Sequence, residues 1–144
     1  MTEADTRTVE QTLRISARPE TVWQFWTDPA AICEWWGSTA DLEPRPGGTC
    51  RVQMKSGPFM VGEYVELVPY ERIVFTFGWE MPAGGGGPDV PPGSTRVEVT
   101  LVDEDGDTVL TLKHSGLPAS YAEEHSAGWA HFLPLLAEAA AGPV

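Results

Sequence analysis

The chain has 144 residues, 42% of them hydrophobic, with 9 basic against 21 acidic side chains and a formal net charge of −12. That length suits one domain, spanning residues 1–144, that buries about two thirds of its unfolded surface around a single core. A field of this sign repels phosphates, which argues against nucleic acid and anionic membrane surfaces as partners.

The opening Met1-Thr2-Glu3-Ala4-Asp5 is polar and acidic, unlike a secretory signal, and nowhere does an apolar run approach membrane-spanning length. Val9, Leu13 and Ile15 alternate with polar residues and predict a first strand with one buried face. Pro19 suits the first position of a short helix in which Val22, Phe25 and Trp26 share a side. Asp28-Pro29 repeats the signal, with Asp28 as cap and Pro29 starting a second short helix through Cys33. Two short helices rich in Trp and Phe would form a lid. Cys33 and Cys50 have neither metal-type spacing nor a CxxC pattern, and read as reduced core thiols of a cytoplasmic protein.

Pro44, Pro46, Gly47 and Gly48 punctuate a loop, after which Cys50, Val52 and Met54 face inward while Arg51 faces solvent. The next strand, Phe59 to Val68, is ambiguous. Glu63 points inward in one register and Tyr64 in the other, with Gly62 as the expected bulge. Ile73, Phe75, Phe77 and Trp79 form the apolar face of a fourth strand, and Val97, Val99 and Leu101 that of a fifth. Asp103 to Asp107 make an acidic hairpin turn with Gly106 at the positive-φ site. A sixth strand, Thr108 to His114, carries Leu110, Leu112 and His114 on one face and is expected to turn at Gly116 and Pro118. A helix from 118 to about 140 then buries Trp129, Phe132 and Leu136, with a kink or break expected at Pro134 and Leu133 and Leu135 still anchored. The segment 80–94, with five Gly and four Pro, is expected to be a flexible hairpin tip or a flap.

This order gives an α+β domain, an antiparallel six-stranded sheet with two short helices between strands 1 and 2 and a long C-terminal helix across one face. Metal binding finds no support, because His114, His125 and His131 form no pair at i, i+3 or i, i+4, and no cofactor motif is present. Ser115 and Ser126 lie near His residues but in no nucleophile elbow. His114 is the leading polar candidate, turned inward by its parity with Leu110 and Leu112, as a core residue, a ligand anchor or an acid–base group. Between a concave sheet and one helix a space of about 300–1,000 Å³ could remain. Trp36, Phe75, Phe77, Trp79, Trp129 and Phe132 would line it. Met54, Tyr64, Val99, Leu112 and His114 complete the candidate ligand-binding set from the same inward faces.

Several fragments occur in a family-like order: Arg18-Pro19-Glu20-Thr21-Val22-Trp23, Trp26-Thr27-Asp28-Pro29, Trp35-Trp36-Gly37, Pro46-Gly47-Gly48 and Gly62-Glu63. Pro69-Tyr70-Glu71-Arg72-Ile73-Val74-Phe75-Thr76 and the closing His114-Ser115-Gly116-Leu117-Pro118 and Gly128-Trp129 follow. Together, over residues 8 to about 140, they resemble the Activator-of-Hsp90-ATPase-like branch of the START/Bet v 1-like (SRPBCC) superfamily. The resemblance implies a helix-grip fold, in which a curved sheet wraps the last helix. It also implies non-enzymatic binding of a small hydrophobic or aromatic molecule; separately, the protein is expected to be a monomer or homodimer. Other members of the superfamily suggest a polyketide cyclase or aromatase using His114, Glu63 or Tyr64, a co-chaperone-like protein partner, or an antibiotic-sequestering role.

Overall fold

In the computed structural model, which describes residues 6–55, 57–80 and 90–141, ten elements follow one another. Strand β1 (Thr6–Ile15) leads into helices α1 (Pro19–Thr27) and α2 (Pro29–Ile32). Strands β2 (Thr39–Leu42), β3 (Thr49–Gln53), β4 (Phe59–Val68), β5 (Arg72–Phe77), β6 (Thr95–Glu104) and β7 (Asp107–Pro118) follow, and helix α3 (Ala119–Ala141) closes the order. The strands form one antiparallel sheet in the order β1-β7-β6-β5-β4-β3-β2. Thus β1 and β2 sit on opposite edges, and α1 and α2 carry the chain between them. With α3 laid against the sheet, this is the helix-grip fold. The strand count is seven rather than six, because β2 is a four-residue edge strand in which only Leu42 is buried. So short a segment shows too little alternation to be recognised.

Local chemistry explains the helix boundaries. Pro19 and Pro29 occupy first-turn positions, where a missing N–H costs nothing. Asp28 ends α1 by donating its N–H to the Gln24 carbonyl, and starts α2 by accepting from the Ala31 N–H at 2.9 Å. At the β6–β7 hairpin Asp105 (φ 56°) and Gly106 (φ 88°) both take positive φ, the signature of a type I′ turn.

In β4, Met60, Gly62 and Tyr64 point inward and Glu63 is exposed. The expected bulge at Gly62 is not there. The register shifts between Tyr64 and Glu66 instead, leaving Val65 as the extra residue. The shift reverses the alternation, so Leu67 packs on the core while Val65 and Val68 are exposed. Gly62 is needed for a different reason: a Cβ there would overlap the Thr76 carbonyl.

Two expectations for the end of the chain need correction. The chain does not turn at Gly116; β7 continues to Pro118, pairing Leu117 with Arg7 and Pro118 with Thr6. A register shift between Arg7 and Val9 absorbs the extra residue, and Gly116 takes φ 81° there. Of the kink or break expected at Pro134, the break is the part overturned, because Pro134 lies within a continuous 23-residue helix. Ala130 and Pro134 are both exposed, so the carbonyl that Pro134 cannot bond is open to water. Trp129, Leu133 and Leu136 are buried, Phe132 is partly buried, and Leu135 is exposed rather than anchored.

Of the Gly/Pro-rich segment, residues 81–89 lie outside the described residues. Residues 90–94 do not behave as a free tip. Val90 is buried and accepts from the Trp79 N–H at 2.7 Å, and Gly93 N–H donates to the Val61 carbonyl at 3.1 Å. Among the described residues no helix is long and apolar enough to cross a membrane.

Candidate ligand-binding site

The inward alternation of β5 and the winding of the chain after α2 build one aromatic cluster between the sheet and α3. Trp35 and Trp36 donate their N–H groups back to the Ile32 carbonyl, so the turn after α2 carries both indoles inward. Trp36 is the hub. Its ring centroid lies 5.2 Å from Trp129, 5.5 Å from Trp35, and 6.3 Å from each of Trp26, Phe75 and Phe77. It stacks within 15° of Phe77 but is tilted by 40° to Trp129. These distances fall in the range where offset and edge-to-face ring pairs attract.

A directed polar chain runs beneath the rings. The Trp129 indole Nε1–H donates to His114 Nδ1 at 3.0 Å, which places the imidazole proton on Nε2. Nε2–H then donates to the Thr95 hydroxyl at 2.8 Å, and that hydroxyl donates to the Phe77 carbonyl at 2.8 Å. His114 has no exposed surface, and burial, with a smaller push from His125, lowers its pKa to about 3. It is a neutral ring with both nitrogens committed within the protein. A second indole–imidazole pair sits beside it. Trp79 Nε1–H donates to His125 Nε2 at 3.1 Å, while His125 Nδ1–H donates to the Tyr121 carbonyl at 2.8 Å.

Tyr64 donates its hydroxyl to the Trp26 carbonyl at 3.1 Å. Burial, reinforced by Cys50, raises its phenol above the ordinary range. Burial likewise pushes the Cys50 thiol up to about 12, against a small opposing effect of Tyr64. Trp35 Nε1–H finds the Phe25 carbonyl at 2.8 Å. The Trp26 Nε1–H is buried and, among the described residues, has no acceptor.

Trp36, Met54, Tyr64, Phe75, Phe77, Val99, Leu112 and Trp129 thus share one buried cluster, with Trp79 and Phe132 packed against it and His114 bonded to Trp129. Glu63 stands apart on the solvent side, and Arg51 pairs with Glu80 at 2.8 Å while covering the Phe59 ring. Four participants are missing from the set expected from the sequence: Trp26, Trp35, Thr95 and His125. Thr95 shares the parity of Val97 and Val99, and His125 lies four residues before Trp129, so both had a positional signal. Among the described residues no group of three or more His, Cys, Asp or Glu could hold a metal ion.

Comparison with known proteins gives this arrangement a family. An AHSA1-like protein from Rhizobium etli is 39% identical, with a TM-score of 0.75 over 99% of this chain and 88% of its own. A protein from Mesorhizobium loti shares the fold at 24% identity, with a TM-score of 0.79 over 92% of this chain and 96% of its own. DynU16, from the dynemicin biosynthetic locus, is 28% identical with a TM-score of 0.74; the match covers 91% of this chain but only 46% of DynU16. No curated protein sequence matches. Residues 16–141 match the family model described as Activator of Hsp90 ATPase homolog 1-like protein, and the chain belongs to that family.

Proposed function

We propose that the protein binds a small hydrophobic or aromatic molecule between the sheet and α3 without transforming it. The observation that carries this reading is the aromatic cluster centred on Trp36, which gathers rings from the post-α2 turn, β5 and α3 at one place. Such a surface offers a planar guest dispersion and ring–ring attraction together with burial. The likeness to a protein from a biosynthetic locus fits a guest of the natural-product kind. Because the rings now touch one another, a guest enters by parting α3 from the sheet, and association is slower than a simple diffusional encounter.

His114 holds Trp129 in place in this reading and does not contact the guest. A cyclase-type reaction would need an acid–base group facing the space, whereas His114 is neutral with both nitrogens bonded and Glu63 faces solvent. The test is native mass spectrometry of freshly purified protein, followed by indole-fluorescence titration with a panel of aromatic compounds. A bound mass in the aromatic range, or saturable quenching reduced by Trp36→Ala, supports the reading. No retained mass and no saturable compound would overturn it.

A further inference from the structure

We infer that the guest carries an uncharged hydrogen-bond acceptor, a ketone-type carbonyl oxygen on a planar aromatic frame, received by the Trp26 indole Nε1–H; this rests on the binding reading above. Trp26 is 2% exposed, and its Nε1–H is buried without a partner among the described residues. A stranded donor costs about 1–3 kcal/mol, so a chain that leaves one buried gives up stability there. Two of the indoles packed against it, Trp35 and Trp129, find acceptors within the protein, a backbone carbonyl and an imidazole nitrogen. Among the described residues, Trp26 Nε1 is the buried side-chain polar atom left without one. The Tyr64 hydroxyl, which also lies near Trp26, is engaged by its backbone carbonyl and not by its ring.

The surroundings define the chemistry of the missing acceptor. Trp26 stands among Trp35, Trp36, Phe75 and Trp129, with ring centroids 4.8–6.3 Å away. A flat aromatic body matches those faces, and its oxygen would sit at the indole edge. The fully buried titratable groups of the cluster, His114, Tyr64 and Cys50, are all held in their neutral forms by burial. A carboxylate or phosphate would therefore enter without a counter-charge, at a large desolvation cost, into a protein whose net charge is already −12. A neutral carbonyl avoids both penalties.

The test compares 9-fluorenone with fluorene, two planar probes that differ at one position by a carbonyl oxygen. Binding to the wild-type protein and to Trp26→Phe is followed by fluorescence, with the thermal transition of the variant recorded alongside. The wild type should bind fluorenone about ten-fold more tightly than fluorene, and Trp26→Phe should lose that preference while retaining fluorene. The infrared carbonyl stretch of fluorenone bound to the wild type should fall, as an accepted hydrogen bond requires, a readout that survives even if the variant does not fold. Equal binding of the two probes with an unshifted carbonyl overturns the inference but leaves the binding reading intact; the indole donor is then met by a trapped water or a ring face. Failure of both probes and of the wider aromatic panel overturns the binding reading itself.

Discussion

At the level of single residues, His114 shows how much parity alone can and cannot say. Its alternation with Leu110 and Leu112 places it inward, as the structure has it. The same alternation is silent on its partners, because Trp129 and Thr95 reach it from α3 and β6, distant in sequence and joined only by folding. The bonding has a pH consequence. His114 titrates near 3 when folded and near the ordinary value of 6.5 when unfolded, so between those limits the unfolded chain binds the extra proton. Its contribution to stability is complete above about pH 6.5 and is lost as the pH falls toward 3, at up to about 1.4 kcal/mol per pH unit. His114→Gln does not titrate. Urea unfolding should therefore show the stability gap between wild type and variant narrowing from pH 7 to pH 4.5, and a constant gap would remove the buried-neutral assignment. Trp26 is the converse case. Its helical face was readable from Val22 and Trp26 at i, i+4, but a missing acceptor is a property of everything around the ring and leaves no trace in the sequence.

At the level of elements, periodicity served well for the strands with clean alternation, β1, β3, β6 and most of β7, and failed where geometry overrode it. The bulge at Val65 reverses β4 halfway along, so no single register fits it. Gly62, the residue that suggested a bulge, instead gives way to the β5 backbone. Gly62→Ala should accordingly destabilise by about 1–3 kcal/mol through overpacking. The same change at Gly128, where an added Cβ meets no atom within 4 Å, should stabilise by up to about 1 kcal/mol through helix propensity. Thermal unfolding of the two variants tests the opposite signs, and a shared sign would contradict the packing described. Pro134 is the other override: tertiary anchoring by Trp129, Leu133 and Leu136 carries the helix through a residue that local propensity opposes. Pro134→Ala should raise stability by up to about 3 kcal/mol in urea unfolding, since the proline is exposed and its replacement restores a backbone hydrogen bond. A lowered midpoint would mean that the ring itself is needed.

For the molecule as a whole, the motif order over most of the chain was enough to anticipate the helix-grip fold, and the family match over residues 16–141 agrees. The short edge strand β2 was invisible because a four-residue segment with one buried side chain has almost no pattern to read. The aromatic cluster was legible as a set of inward residues, but not as a set with Trp36 at its hub. That position depends on the turn after α2, which no spacing rule specifies. The fold gathers four indoles, Trp26, Trp35, Trp36 and Trp129, into one connected cluster, while Trp23 packs instead against Tyr70 at 5.9 Å. This separation makes the central claim directly observable in the indole N–H region of a ¹⁵N–¹H correlation spectrum, recorded as an aromatic ketone such as 9-fluorenone is added. The Trp26, Trp36 and Trp129 signals should shift together and saturate at one equivalent, with Trp23 unmoved. Shifts confined to Trp23, or an unchanged spectrum at saturating ketone, would contradict binding between the sheet and the last helix.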